Sequence, residues 1–406
     1  MSTLAERILG GAAGTYLDRK IDTAYAHDGT GVLTLQAWEE MGGGIPAHPE
    51  RLQILFDHIV PANNSTTATL QQKLRVFSKG AGIRFSDCGE GICHQVIAEG
   101  GVIPGNVVIG ADSHTCTLGA FGAFATGVGA TDMAAIWASG CIWLKVPETI
   151  RVDLQGKLTG AAEPKDLALR YVSLLGMGGA TYKALEFTGE GAATIPMDGR
   201  LTMANLAVET GAKAGLFYAD QETRRYLAAS GRDVDDTINQ VPEEGKYLET
   251  LAIDLADIEP VVAIPHRVDT VRPVTDVAGL HLDQVFLGTC TNGRYSDLAR
   301  FAAIVKGKKV AVRTVVVPAS QKVLTEAAST GVLADLIGAG CMVGPPGCGP
   351  CLGAHMGVIG EGEVCLSTAN RNFLNRMGVG GSIYLSSVST AAASALTGEI
   401  TCPEGI

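Results

Sequence analysis

Residues 106–117 read NVVIGADSHTCT, a short apolar run ending on glycine that passes into a loop with an aspartate, a serine and a histidine. Two later stretches repeat the layout: QVFLGTCTNG over residues 284–293 and KVAVRTVVVPAS over residues 309–320. Such runs are β-branched and lack polar alternation, the pattern of strands covered on both faces. Strands are therefore expected over Asn106–Gly110, Gln284–Leu287 and Lys309–Val317. Between such runs lie amphipathic stretches. Gln321–Ile337 (QKVLTEAASTGVLADLI), followed by Gly338, predicts one helix with a C-terminal glycine. Alternation of strand, loop and helix gives an α/β fold with mainly parallel sheets. In such folds ligands bind beyond the carboxyl ends of strands, where these polar loops fall.

The chain has 406 residues, 46% of them hydrophobic, so two or three domains are expected. The run from Trp143 (WLKVPETIRVDLQGKL) opens a new strand-bearing region, and the proline-rich stretch Asp257–Thr275 reads as a linker. Expected domains are thus 1–145, 146–268 and 269–406. A net charge of −11 argues against nucleic acid or an anionic membrane as partner, but leaves room for a local basic pocket that binds a small acid. No apolar run is long enough to span a bilayer, and the start, MSTLAERILGG, lacks the layout of a secretory signal. A cytoplasmic location is expected, where ten cysteines stay reduced.

Cys348 and Cys351 form a C-x-x-C, a spacing shared by zinc half-sites, thiol redox pairs and iron–sulfur half-sites. Its surroundings, GPPGCGPCLG, are nearly free of bulky side chains, so the backbone can pass close to a large inorganic group. A redox pair more usually opens a helix, and zinc commonly takes a second paired motif that is absent here. Cys290, in the loop after a strand, is the natural third thiolate. The blander reading makes Cys290 an apolar filler and the C-x-x-C a minor metal clip. Cys88, Cys93, Cys116, Cys141, Cys341, Cys365 and Cys402 read as small buried or half-exposed side chains. Asp57 and His58 set a carboxylate beside an imidazole, which can keep the ring protonated, although adjacency alone favours an exposed helix-end pair. Asp112, Ser113 and His114 follow a strand, where polar triples seldom serve packing.

Four motifs in order, GADSHTCTLGAFGAFATGVGATDMA from Gly110, GTCTNG from Gly288, GPPGCGPC from Gly344 and TANRNF from Thr368, resemble the aconitase superfamily. The likeness is strongest to its large subunits of the 3-isopropylmalate dehydratase and homoaconitase kind. The resemblance runs nearly end to end. It implies three α/β/α domains around a [4Fe-4S] cluster on Cys290, Cys348 and Cys351, with one iron not bound by cysteine. It implies that His58, with Asp57, protonates a departing hydroxyl. His94, paired with Glu186, and His114 would reach water and substrate at the open iron, with Asp112 close by. His27 and Ser113 would contact substrate, and Asn292 would sit beside the cluster. Arg371 and Arg376 would grip a carboxylate, since a planar guanidinium offers bidentate geometry. The implied substrate is a small di- or tricarboxylic hydroxy-acid, dehydrated and rehydrated.

The superfamily's serine base belongs to a further, swivelling domain for which this chain has no counterpart, so the resemblance also implies a small subunit. Between Gly14 and His27 the chain is shorter than the family pattern and lacks a glycine–aspartate turn and a strand. Three competing readings have weaker support. GVGATD from Gly127 and GMGGAT from Gly176 begin like dinucleotide loops of a nicotinamide-dependent dehydrogenase, but neither has the third glycine. A zinc or thiol protein would use Cys348 and Cys351 alone. RNA binding by the apo-chain runs against the acidic balance.

Overall fold

The computed structural model describes residues 2–232 and 245–404. Three sheets carry most of the strands, with one two-stranded pair beside them. The first sheet has five strands in the order Arg84–Ser86, Leu52–Leu55, Thr23–His27, Val107–Gly110 and Phe124–Gly127, all parallel. The second is also parallel and runs Ala214–Phe217, Ala184–Thr188, Thr149–Gln155 and Glu249–Asp254. Seven strands build the third: Val271–Pro273, Val261–Ala263, Ser382–Ser386, Val364–Ser367, Gln284–Leu287, Arg313–Val316 and Met342–Val343. Its first two pairings are antiparallel and the rest parallel. This is the α/β architecture expected from the sequence.

The two strands that precede the key loops, Val107–Gly110 and Gln284–Leu287, are buried at every position. That burial is why their sequences show no alternation. The strand expected over Lys309–Val317 is confined to Arg313–Val316. The helix expected over Gln321–Ile337 is two helices, Gln321–Ser329 and Val332–Ala339. Gly331 between them has φ +84°, a left-handed conformation that ends the first helix where the apolar pattern continues. The proline-rich stretch is not a free linker. It supplies Val261–Ala263 and Val271–Pro273 to the third sheet, so that sheet begins before residue 269. The stretch between Gly14 and His27 holds Tyr16–Lys20, which pairs antiparallel with Cys141–Lys145.

One apolar core joins strands of the second and third sheets, including Val152, Leu185, Phe286 and Val315. Another joins the first sheet to residues of the second, with Ile54, Ile109, Ala184 and Leu216 together. This packing turns the carboxyl-end loops of the first and third sheets toward one another. No helix among the described residues is long and apolar enough to cross a membrane.

Candidate active site

His27 ends one strand of the first sheet, and Asp57, His58 and Asp112 follow the ends of its two neighbours. Cys290 follows Gln284–Leu287, and Asn370 and Arg371 follow Val364–Ser367. The loops meet around a pocket of about 340 Å³. Its walls include His27, His58, His94, Asp112, Ser113, His114, all three motif cysteines, Arg371 and Arg376. Residues read from four separate motifs thus share one cavity.

The polar wall is built from imidazole–carboxylate pairs. Asp57 is fully buried, with Oδ1 2.6 Å from His58 Nδ1. Its other oxygen accepts from the Cys93 amide at 2.7 Å, capping the helix Cys93–Gly100 that carries His94. Asp28 accepts from the amides of Asp57, His58 and Ile59 and so fixes this loop. Burial works against a charged His58, but the Asp57 carboxylate, helped by Asp112 and Asp28, outweighs it and pushes His58 up to about 10. The ring of His27 stacks on that of His58 at 3.8 Å between centroids.

Asp112 is the hub. Its Oδ1 accepts from the His114 amide at 2.7 Å and stands 3.0 Å from His94 Nε2. Its Oδ2 faces His27 Nε2 at 3.5 Å and His58 Nε2 at 3.8 Å. Burial alone would raise the Asp112 carboxyl, yet His94, His114 and His27 hold it well below the usual carboxylate range.

Glu186 does not pair with His94. It lies in the strand Ala184–Thr188, accepts from Tyr218 Oη at 2.6 Å and the Ala5 amide at 3.1 Å, and ties the N-terminal helix to the second sheet. The carboxylate missed by sequence reading is Glu209. It stands 2.9 Å from His114 Nε2 and accepts from Arg371 Nε at 2.7 Å. Burial opposes its charge, but His114 and Arg371 keep its carboxyl below the usual range. Asn292 is turned away from the pocket, donating to Asp297 at 3.0 Å and accepting from Lys165 at 3.5 Å. Asn205 and Asn370 stand beside Cys290 instead, donating to its sulfur at 3.1 and 3.3 Å. Asn370 belonged to the TANRNF motif and could have been found there; Asn205, inside a helix, carried no such signal.

Cys290, Cys348 and Cys351 are free thiols, each 8% exposed at the pocket wall. Gly349, at φ +56°, carries the chain between two of them; a Cβ there would lie 2.8 Å from Val317. Burial pushes the Cys290 thiol well up, and the nearby Cys351 and Cys348 add to it. Bare, Cys290 and Cys348 therefore stay protonated, and a cationic group among the sulfurs would favour their thiolates. Among the described residues, the set of potential ligands that all lie within 4.8 Å of one another is His27, Asp28, Asp57 and His58; the three sulfurs are not all that close, as one chelated ion requires. Amide donors on Cys290, the Arg376 guanidinium 3.8 Å from Cys351 Sγ, and the buried, unpartnered Nε of Arg376 fit an anionic group in the cavity.

Fold and site together define an α/β protein that sets clustered imidazole–carboxylate pairs against three thiols at facing strand ends. The chain belongs to the aconitase family: the model for "Aconitase family (aconitate hydratase)" matches residues 7–281 and 271–398. It is 52% identical to a probable methanogen homoaconitase large subunit of Methanosarcina mazei, over 95% of this chain and 99% of that one. It is 45% identical to a 3-isopropylmalate dehydratase large subunit of Elusimicrobium minutum, over 100% of this chain and 99% of the relative. Among solved structures it resembles holo aconitase X of Thermococcus kodakaraensis, with TM-score 0.50, 13% identity and 90% and 86% of the two chains covered, a likeness of fold. Aconitase-family proteins carry an iron–sulfur cluster.

Proposed function

We propose that the chain is the large subunit of a [4Fe-4S] hydro-lyase that isomerises a malate-type hydroxy-acid by dehydration and rehydration, with 2-isopropylmalate to 3-isopropylmalate as the leading reaction. The observation that carries this reading is one cavity shared by three convergent thiols and the imidazole–carboxylate pairs. Cys290, Cys348 and Cys351 would hold the cluster. When bound, it supplies a Lewis-acidic iron without a cysteine ligand.

The chain's own residues divide the remaining work. His58, kept protonated by Asp57, delivers a proton to the departing hydroxyl and recovers it on rehydration. His94 and His114, oriented by Asp112 and Glu209, hydrogen-bond the oxygens at the reacting carbon. Arg371 and Arg376 receive carboxylate, and Arg376 has a free donor for it. His27 and Ser113 complete the pocket wall. The abstraction of a carbon-bound proton is assigned to a serine on a small subunit, a partner that the "large subunit" names of the relatives favour. Homoaconitase chemistry is the second reading, favoured by the relative at 52% identity.

The test is anaerobic reconstitution with iron and sulfide, addition of the cognate small subunit, and assay of alkene absorbance with 2-isopropylmalate and with homocitrate. Turnover of the first and little of the second is expected. Preference for homocitrate moves the assignment to the second reading, and stoichiometric zinc without acid-labile sulfide overturns both.

A further inference from the structure

Tyr25, in the strand Thr23–His27, is fully buried among apolar neighbours that include Leu55, Val108 and Leu118. Its hydroxyl is nevertheless placed with care, 2.7 Å from His94 Nδ1 and 3.0 Å from Thr115 Oγ1. Gly110 pairs with Tyr25 across the sheet. A Cβ on Gly110 would stand 2.1 Å from Thr115 Oγ1 and 2.7 Å from Tyr25 Cζ, so this contact exists because the strand ends on glycine. Burial keeps the phenol neutral at ordinary pH.

The hydrogens in this chain of contacts can be counted. Thr115 Oγ1 lies 2.7 Å from the Asp112 carbonyl, which can only accept, so the threonine hydrogen is used there. Thr115 therefore faces Tyr25 as an acceptor and takes the single phenol hydrogen. The Tyr25 oxygen is then left to accept from His94 Nδ1. On the far side of the ring, Nε2 stands 3.0 Å from the Asp112 carboxylate, which also accepts. Reversing any one hydrogen sets two lone pairs against each other across a buried contact.

We propose that Tyr25 is a positioning residue that reserves a hydrogen on His94 Nδ1, so that His94 faces Asp112 and the pocket with a hydrogen on each ring nitrogen. The polar groups facing the ring are Asp112, Tyr25, the His114 ring at 6.5 Å between centroids and Cys93 Sγ at 3.8 Å from Nδ1. None of the others competes for the Nδ1 hydrogen as well as the phenol does. The catalytic consequence rests on the hydro-lyase reading: His94 would act at the substrate as a donor. The hydrogen placement itself does not rest on it.

The test uses the full-length apo-chain with 15N in its histidine rings, His94 being assigned by the signals lost in His94→Gln. At neutral pH both His94 nitrogens are expected to show the shifts of protonated ring nitrogens. Thr115→Val keeps the phenol but removes its acceptor. The Tyr25 hydrogen should then turn to His94, and Nδ1 should move to the shift of an unprotonated nitrogen. Tyr25→Phe should also lose the protonated Nδ1 signal. An Nδ1 that is unprotonated in the wild type, or protonated in both variants, overturns the proposal. The expected shifts with unchanged turnover in the reconstituted Tyr25→Phe enzyme uphold the hydrogen placement and count against the hydro-lyase role of His94.

Discussion

Glu209 joins an imidazole and a guanidinium of the pocket through one oxygen: Oε1 stands 2.9 Å from His114 Nε2 and 2.7 Å from Arg371 Nε. The histidine comes from a loop of the first sheet and the arginine from a loop of the third, so this carboxylate locks the two halves of the pocket together. Glu209→Gln keeps an acceptor but removes the negative charge that faces both groups. Turnover is expected to fall about 100-fold, with a raised KM from the loosened Arg371. Steady-state kinetics normalised to cluster content checks this; a change in KM alone would reduce Glu209 to a substrate-binding role.

The Asp57–His58 pair predicts a pH dependence of stability. His58 rises from its ordinary 6.5 to about 10 in the folded chain, burial opposing and Asp57 prevailing. The folded state thus holds the proton more tightly than the unfolded state. Stabilisation by the pair is complete below about pH 6.5 and is lost as pH rises toward 10. The apo-chain should be more stable than Asp57→Asn at pH 6.5, and the gap should narrow steadily up to pH 10. Urea unfolding of both proteins across this range measures it, and a constant gap would mean that His58 does not carry the charge.

How much of this was legible beforehand depended on whether a feature is local. Gln284–Leu287 could be read because a strand buried on both faces needs an unbroken apolar run, and its loop advertised Cys290 at once. The Gln321–Ile337 region misled because the apolar pattern continues across Gly331, and a left-handed residue leaves no mark on periodicity. Pairing was least legible. Glu186 lies in the second sheet and Glu209 shortly before its strand Ala214–Phe217, and only the packing of this region against the first sheet decides which one meets an imidazole. Tyr25 carried no local signal because its partner His94 is 69 residues away.

The three motif cysteines and the amides that donate to Cys290 should fail differently. Substitution of Cys290, Cys348 or Cys351 by serine removes a proposed cluster ligand, and iron and acid-labile sulfide should be nearly absent after reconstitution. Asn205→Ala removes a donor to Cys290 Sγ at 3.1 Å while leaving all three thiols. Its cluster should form but be lost about 10- to 100-fold faster to chelator. Following the visible absorbance after adding a chelator separates the classes, and equal loss in Asn205→Ala and Cys290→Ser would show that the amide is needed for assembly itself.

Lys165 offers a prediction of opposite sign to that of His58. Its ammonium is buried in the helix Pro164–Leu175 and donates to the carbonyls of Thr368 and Ala369 at 2.6 and 2.7 Å, beside the Asn370–Arg371 loop. Burial lowers its pKa from 10.5 to about 7, with Asp297 and Asp166 only partly offsetting it. The folded chain therefore binds this proton less tightly than the unfolded chain does. The cost of burying the charge is full below about pH 7 and fades as pH rises toward 10.5. Lys165→Met removes that cost but strands two buried carbonyl partners, for a loss of about 1–3 kcal/mol each if unmet. Relative to the wild type, the variant should lose stability as pH is raised from 7 to 10, any deficit widening with pH. Denaturant unfolding of the two apo-chains reads both the sign and the trend, and a deficit that shrinks with pH would place the charge on Lys165 in a stabilising role instead.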